Sequence, residues 1–345
     1  MSLFTWLFRR KRHGKLPGDI AIIGGGSWAT AIAKMILEDK DERIWWYFHQ
    51  QDTIDEFKAQ GHNPSYLIDV PFNVEQIDFT SDINEAVEKA GILILVTPSP
   101  YLKSLLTDIR VSMKDKFVVI ATKGIVPDDN VVWSDYLHDN YEIPEAQLAV
   151  LSGPSHAEEV ALSHLTYLTV GCTDKERGAT FAKIIENNYV RTTLSTDLHG
   201  IEYAGVLKNV YALCAGICAG LKYGENFQAV LIANAAREMT IILKAVNPTR
   251  RGICDSVYLG DLLVTGYSKF SRNRTFGTML GRGYSVRAAQ SEMQMIAEGY
   301  FAAKCMHEIC AEYRIDAPIL EVVYNVIYKN VSPREAIEKL SQILR

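Results

Sequence analysis

Residues Gly18–Asp39 read "GDIAIIGGGSWATAIAKMILED". A short apolar run, three glycines, and then small and apolar residues at helical spacing predict strand, tight turn and helix. Gly24, Gly26 and Ala29 match the G-x-G-x-x-G/A pattern, with Ser27 and Trp28 between them. The pattern is weak alone, but here it follows an apolar strand and opens a helix. Each position has a physical job. Gly24 permits the turn, Gly26 lets a pyrophosphate approach the backbone, and Ala29 lets the helix pack on the sheet. The phosphates then face the outward-pointing amides of the helix N-terminus. A dinucleotide is therefore expected.

The pattern repeats outward. "RIWWYF" (Arg43–Phe48), "GILILVTPS" (Gly91–Ser99), "KFVVIATKG" (Lys116–Gly124), "AQLAVLSGPS" (Ala146–Ser155) and "LTYLTVGC" (Leu165–Cys172) read as strands, with helical segments between several of them. Such alternation predicts an α/β domain with a parallel sheet. From about Thr196 the chain reads helix after helix. The expected organisation is an N-terminal extension (1–17), a dinucleotide-binding domain (18–195) and an all-helical domain (196–345).

The end of the second strand normally separates NAD from NADP. An acid there binds ribose hydroxyls, and a basic residue accepts a 2′-phosphate. This chain has "WWYFHQQD": no acid at the strand end, Asp52 several residues late, and His49 as the nearby cation. The cofactor is NAD or NADP, and the choice stays open.

Composition limits the function classes. The chain has 345 residues, 48% hydrophobic and 22% charged, with a formal net charge of −5. That mix fits a globular protein with a sizeable core, and the negative field does not favour nucleic acid. Six cysteines without a CxxC read as reduced core thiols, with cytoplasmic localisation expected and no metal. No apolar run reaches the ~18 residues of a membrane span. "MSLFTWLFRRKRHGK" reads either as an extension before the first strand or as a weak interfacial anchor, apolar residues beside basic ones.

One charge stands out. Lys208 lies in "GVLKNVYALCAGICAG" (Gly205–Gly220), a helix otherwise made almost entirely of apolar or small residues. Lysine rarely enters such surroundings unless paired or employed. It either snorkels to water or serves as a proton-transfer group, because burial lowers its pKa toward neutral.

Taken together, "IIGGGSWATAIA", "ATKG", "LSGPSHAEEVA", "VLKNVYALCAGICAGL", "GDLLVTGYSKFSRNRTFG", "AEGYFAAKC" and the closing "DAPILEVVYNVIYKNVSPREAIEKL" resemble the successive motifs of bacterial NAD(P)-dependent glycerol-3-phosphate dehydrogenases. The resemblance covers Asp19 to Leu340. It implies a Rossmann domain followed by a helical domain, and reversible reduction of dihydroxyacetone phosphate to sn-glycerol 3-phosphate, which feeds phospholipid synthesis. It also implies roles for particular residues. Lys208 is the proton acceptor. Lys123 touches both substrate and cofactor. Gly153 and Ser155 contact substrate, and Ala157 contacts cofactor. Asp261 contacts substrate and helps hold Lys208. Ser271, Arg272 and Asn273 clamp the phosphate, with Arg272 also on the cofactor. Ile296 and Glu298 contact the cofactor beside Gly24, Gly26, Ser27, Trp28 and His49.

Two departures from the family pattern stand out: His156 where an aromatic is usual, and Phe48 where His or Arg is frequent. The expected partner is a small phosphate substrate, with the chain as a homodimer and no nucleic acid. The competing readings are another Rossmann-plus-helical dehydrogenase, of the 6-phosphogluconate or 3-hydroxyacid type, and a nucleotide sensor without catalysis.

Overall fold

The strand, glycine-turn and helix pattern of Gly18–Asp39 is realised as β1 (Asp19–Ile23), a turn, and α1 (Ser27–Leu37). The computed structural model describes residues 16–293 and 297–345. Residues 1–15, which carry the anchor reading, and Ile296 lie outside the described residues. Beyond α1 the chain runs β2 (Ile44–Tyr47), α2 (Gln51–Gln60), β3 (Ile77–Thr80), α3 (Ile83–Lys89), β4 (Ala90–Leu95), α4 (Ser99–Thr107), β5 (Phe117–Ile120), α5 (Trp133–Tyr141), β6 (Leu148–Ser152), α6 (Ala157–Ala161), β7 (Thr166–Gly171), α7 (Lys175–Ile185) and β8 (Val190–Ser195). Among the described residues only helices follow: α8 (Leu198–Gly220), α9 (Glu225–Val246), α10 (Asp261–Tyr267), α11 (Arg272–Gly281), α12 (Val286–Glu292), α13 (Glu298–Glu312), α14 (Pro318–Tyr328) and α15 (Pro333–Ser341).

The chain divides into two compact units. One comprises the chain up to Thr97, Tyr101–Thr122 and Trp133–Leu198; the other comprises Pro98–Pro100, Lys123–Val132 and His199–Arg345. Two short segments, after β4 and β5, thus belong to the helical unit.

In the first unit the eight strands form one sheet in the order β3-β2-β1-β4-β5-β6-β7-β8. Every residue of β4 and β5 is buried, which explains their unbroken apolar runs. The sheet is mostly parallel, as expected, with one exception. β6 and β7 pair antiparallel, and β8 then pairs parallel to β7. The chain leaves β6 and enters β7 at the same end of the sheet, through the short α6 instead of a full crossover helix. The two outermost strands, β3 and β8, escaped the sequence reading. As edge strands they are partly exposed and show no continuous apolar run.

In the helical unit α8 is central. Val206, Leu207, Val210, Leu213 and Ile217 are fully buried, which accounts for a helix apolar on all sides. A glycine seam brings α11 onto it. A Cβ on Gly216 or Gly220 would run into the backbone of Arg274 or Thr278, and a Cβ on Gly277 or Gly281 would run into that of Leu213 or Ile217. Backbone therefore meets backbone along the pair. Elsewhere in the unit, buried Glu238 of α9 accepts the N–H groups of Ile319 (2.8 Å) and Leu320 (3.0 Å), satisfying two amides at the start of α14.

Candidate functional site

In the sheet unit, the chain runs from β1 outward to β3 and then returns to build β4 to β6 on the other side. The reversal lies between β1 and β4, where open α/β sheets bind ligands. The glycine turn sits at this point. Gly24 has φ of 131°, a value that favours glycine, and a Cβ there would lie 3.1 Å from the Thr97 amide nitrogen. Trp46 Nε1 donates to the Gly24 carbonyl at 2.8 Å. Asn63, fully buried, donates to the Gly25 carbonyl at 2.9 Å and to Thr30 Oγ1 at 2.8 Å. Its own oxygen accepts the amides of Ser65 and Tyr66.

Past this bracing the turn is open. A Cβ on Gly26 would meet nothing within 4 Å, and Gly26 caps α1 without a side-chain bond. The first turn of α1, with buried Ser27 and half-buried Trp28, carries no acid. Open space beside Gly26, a cap residue with no side-chain bond and no acid in the first turn fit a pyrophosphate.

His49 is exposed, with Nδ1 3.4 Å from the Tyr47 hydroxyl. At the end of β6, Gly153 also has φ of 131°, and a Cβ there would approach the Tyr167 carbonyl to 2.8 Å. Ser155 Oγ donates to the Gly153 carbonyl at 3.0 Å. Ala157 opens α6, and half-buried His156 is its N-cap residue.

The helical unit holds the charged constellation. Lys208 is 4% exposed and Asp261 is 1% exposed. Lys208 Nζ stands 2.5 Å from Asp261 Oδ1, and Lys123 Nζ is 3.9 Å from Oδ2 of the same carboxylate. Burial pushes the Lys208 ammonium down to about 7; Asp261 opposes this shift and Lys123 reinforces it. The lysine is thus paired, yet close to giving up its proton at neutral pH.

A π-helical turn, Ser256–Gly260, delivers Asp261: the Asp261 amide bonds back to the Ser256 carbonyl. Such wide turns re-aim the next side chain and cluster at functional sites. Thr265 Oγ1 donates to the Asp261 carbonyl at 2.6 Å.

A chain of amides frames this group. Asn209 Nδ2 donates to the Lys123 carbonyl (2.9 Å), Asn273 Nδ2 donates to Asn209 Oδ1 (2.9 Å), and the Gly299 amide donates to Asn273 Oδ1 (2.8 Å). Asn273, expected as a ligand donor, is therefore largely engaged in joining α8, α11 and α13. Ser271 caps α11, its hydroxyl oxygen accepting the Arg274 amide at 3.2 Å. Half-buried Arg272 opens the same helix. Glu298 opens α13, with Oε1 accepting the Ser99 amide at 3.1 Å. Burial lifts the Glu298 carboxyl to about 7, against the pull of Ser99 and of the Arg272 charge.

Of the expected residues, Lys123, Lys208, Asp261, Ser271, Arg272, Asn273 and Glu298 fall in the helical unit. Gly24, Gly26, Ser27, Trp28, His49, Gly153, Ser155 and Ala157 fall in the sheet unit. Sequence reasoning missed Asn63 and Asn209. Asn63 hides in "GHNPSY", where Asn-Pro reads as an ordinary turn, and Asn209 is overshadowed by Lys208.

The profile of the NAD-dependent glycerol-3-phosphate dehydrogenase N-terminus matches residues 19–178, and that of its C-terminus matches 197–338. The chain belongs to the NAD-dependent glycerol-3-phosphate dehydrogenase family. Among its relatives, glycerol-3-phosphate dehydrogenase [NAD(P)+] of Syntrophotalea carbinolica is 34% identical over 94% of this chain and 97% of that protein. The enzyme of the same name from Exiguobacterium sp. is 32% identical over 93% and 94%. The crystal structure of glycerol-3-phosphate dehydrogenase from Coxiella burnetii superimposes with a TM-score of 0.85 at 27% identity, covering 93% of this chain and 98% of that one. Family membership favours this class over the 6-phosphogluconate and 3-hydroxyacid types. Among the described residues, no helix is long and apolar enough to cross a membrane, and no group of three or more His, Cys, Asp or Glu could hold a metal ion.

Proposed function

We propose that this chain catalyses the reversible NAD(P)-dependent reduction of dihydroxyacetone phosphate to sn-glycerol 3-phosphate. The buried Lys208–Asp261 pair carries the reading. A bound reduced nicotinamide supplies hydride to C2 of the ketone. Lys208, as the ammonium, gives its proton to the C2 oxygen; in the reverse direction the neutral amine takes it back. A group with its pKa near the working pH suits both directions. Asp261 keeps Lys208 oriented, and Lys123 adds a second positive charge beside the developing alkoxide. Arg272 receives the substrate phosphate with its planar fork, helped by the Ser271 hydroxyl. Asn273, beside Arg272, contributes to the clamp while its side chain holds Asn209 and the Gly299 amide in place. Gly153 and Ser155 complete the substrate contacts.

Residues 18–195 bind the dinucleotide through Gly24, Gly26, Ser27, Trp28, His49 and Ala157, while residues 196–345 supply the substrate groups together with Ile296 and Glu298. Lys123 and Arg272 touch both ligands. The product serves glycerophospholipid synthesis in the cytoplasm. The chain acts as a homodimer.

The test is a spectrophotometric assay with purified protein. Oxidation of NADH or NADPH is expected when dihydroxyacetone phosphate is added. Turnover of 6-phosphogluconate or a 3-hydroxyacid in its place would sink the reading.

A further inference from the structure

Lys123 stands in a closed ring of contacts within the helical unit. Its carbonyl accepts Asn209 Nδ2 of α8, Asn209 Oδ1 accepts Asn273 Nδ2 of α11, and Asn273 Oδ1 accepts the Gly299 amide of α13. Glu298 precedes Gly299 and closes the ring on the residue after Lys123. A Cβ on Gly124 would lie 2.6 Å from Glu298 Oε2 and would overlap Ser99 Oγ outright. Ser99 is 1% exposed, and its amide donates to Glu298 Oε1 at 3.1 Å. That amide opens α4, so the carboxylate also meets the positive end of a helix. Only glycine fits at 124, because Ser99 and Glu298 occupy the space of a side chain.

This contact accounts for a feature of the fold. Pro98–Pro100 and Lys123–Val132 follow strands β4 and β5, yet both group with the helices. Glu298 holds the first through the Ser99 amide and abuts the second at Gly124. The ring thus fixes the root of Lys123, while its Nζ reaches to 3.9 Å from the Asp261 carboxylate that pairs with Lys208.

We propose that Ser99 and Gly124 are positioning residues: packed on each other and on Glu298, they set where the Lys123 ammonium stands beside Asp261 and Lys208. The placement is independent of the dehydrogenase reading; its consequence for catalysis rests on that reading.

That consequence is electrostatic. Burial does most to lower the Lys208 pKa; of the charges facing it, Asp261 of α10 raises the value and Lys123 lowers it. Glu298, itself raised by burial, faces the Arg272 charge of α11. Moving Lys123 out of place lets the Lys208 ammonium keep its proton to higher pH.

Gly124→Ala inserts the methyl that Ser99 and Glu298 exclude. It should cut kcat/KM for dihydroxyacetone phosphate by about 10²-fold, the scale of a 1 Å misplacement. The inflection of the reduction profile should move to higher pH, and in a Lys123→Ala background it should move no further. Ser99→Gly takes Oγ and Cβ out of the contact, so combining it with Gly124→Ala should recover part of the loss. An unmoved inflection, a further shift without Lys123, or no recovery overturns the proposal and leaves a packing defect only. Should Gly124→Ala not fold, Ser99→Gly alone decides: it loosens the contact without adding atoms and should shift the inflection upward by less, and an unchanged inflection overturns the proposal. Amide exchange needs no turnover. The Gly299 amide should exchange faster in Ser99→Gly than in the wild type; equal exchange overturns the proposal even in an active enzyme. Faster exchange in a protein that does not turn over dihydroxyacetone phosphate supports the placement and sinks only the reaction.

Discussion

Lys208 Nζ lies 2.5 Å from Asp261 Oδ1, and the two side chains are 6% and 2% exposed. The pair neutralises a charge that the α8 core would otherwise not tolerate. It also leaves the lysine with a pKa of about 7, because burial outweighs the attraction of the carboxylate.

The pH dependence of catalysis follows. With Lys208 as the proposed proton donor, kcat for reduction should fall as pH rises through about 7, while glycerol 3-phosphate oxidation should rise through the same window. Asp261 raises the Lys208 pKa and Lys123 lowers it, so Asp261→Asn should move the inflection to lower pH and Lys123→Ala to higher pH. Lys208→Ala should lose about 10²–10⁴-fold in kcat while still binding NADH. Steady-state profiles from pH 5.5 to 9 check all three, and movement of either inflection in the opposite direction refutes the assignment.

Arg272 sits at the start of α11 with Ser271 as its cap. Arg272→Ala should weaken kcat/KM for dihydroxyacetone phosphate by about 2–5 kcal/mol, the range for losing one side of a hydrogen-bonded charge pair. A truncated ketone lacking the phosphate should show almost no difference between wild type and variant. Equal losses for both substrates would remove Arg272 from phosphate recognition.

Gly277 packs its Cα against the α8 backbone near Leu213. Gly277→Ala must push α11 away from α8 at a cost of about 1–3 kcal/mol. Denaturant unfolding should register the loss. KM should rise as well, because Arg272 rides on the same helix. An unchanged midpoint would mean that the two helices separate freely.

Asn63→Ala removes the donor to the Gly25 carbonyl and to Thr30. Leaving such buried groups unmatched costs about 1–3 kcal/mol. Dinucleotide affinity should fall with stability, since the turn that faces the pyrophosphate loses its brace. Calorimetric titration with NADH measures the first effect; unaltered affinity would contradict it.

Glu238 gives a stability signature away from catalysis. Burial lifts its carboxyl from the usual 4.5 to about 7, against the two backbone amides it accepts. Between these values the folded chain holds a proton that the unfolded chain has released. Stability contributed by this group is therefore full below about 4.5 and lost as pH rises to about 7, with a slope of up to about 1.4 kcal/mol per pH unit. Glu238→Gln should flatten the difference in that window. Parallel unfolding curves for the two proteins across it would refute the shift.

Much of this architecture was legible in advance, for identifiable reasons. Buried parallel strands such as β4 leave continuous apolar runs, and Lys208 announced itself as a lone charge in an apolar helix whose partner had to come from elsewhere in the chain. Edge strands β3 and β8 left no comparable trace. The antiparallel β6–β7 pairing depends on where a short connection re-enters the sheet, which a local pattern does not carry. Asn63 and Asn209 act by hydrogen bonds to backbone carbonyls, and a carbonyl looks the same at every position. The wide turn before Asp261 likewise has no residue signature in "DSVYLG".

The glycine seam between α8 and α11 has one more consequence. With no side chains between them at four positions, the two helices have no layer that can deform or slide. The Lys208 backbone on α8 and the Arg272 backbone on α11 therefore keep a fixed spacing, like two marks on one ruler. Any accommodation of substrates of different length must come from rotation of the Lys208, Lys123 and Arg272 side chains. A ketone one carbon longer or shorter between carbonyl and phosphate should be handled badly, whatever its affinity.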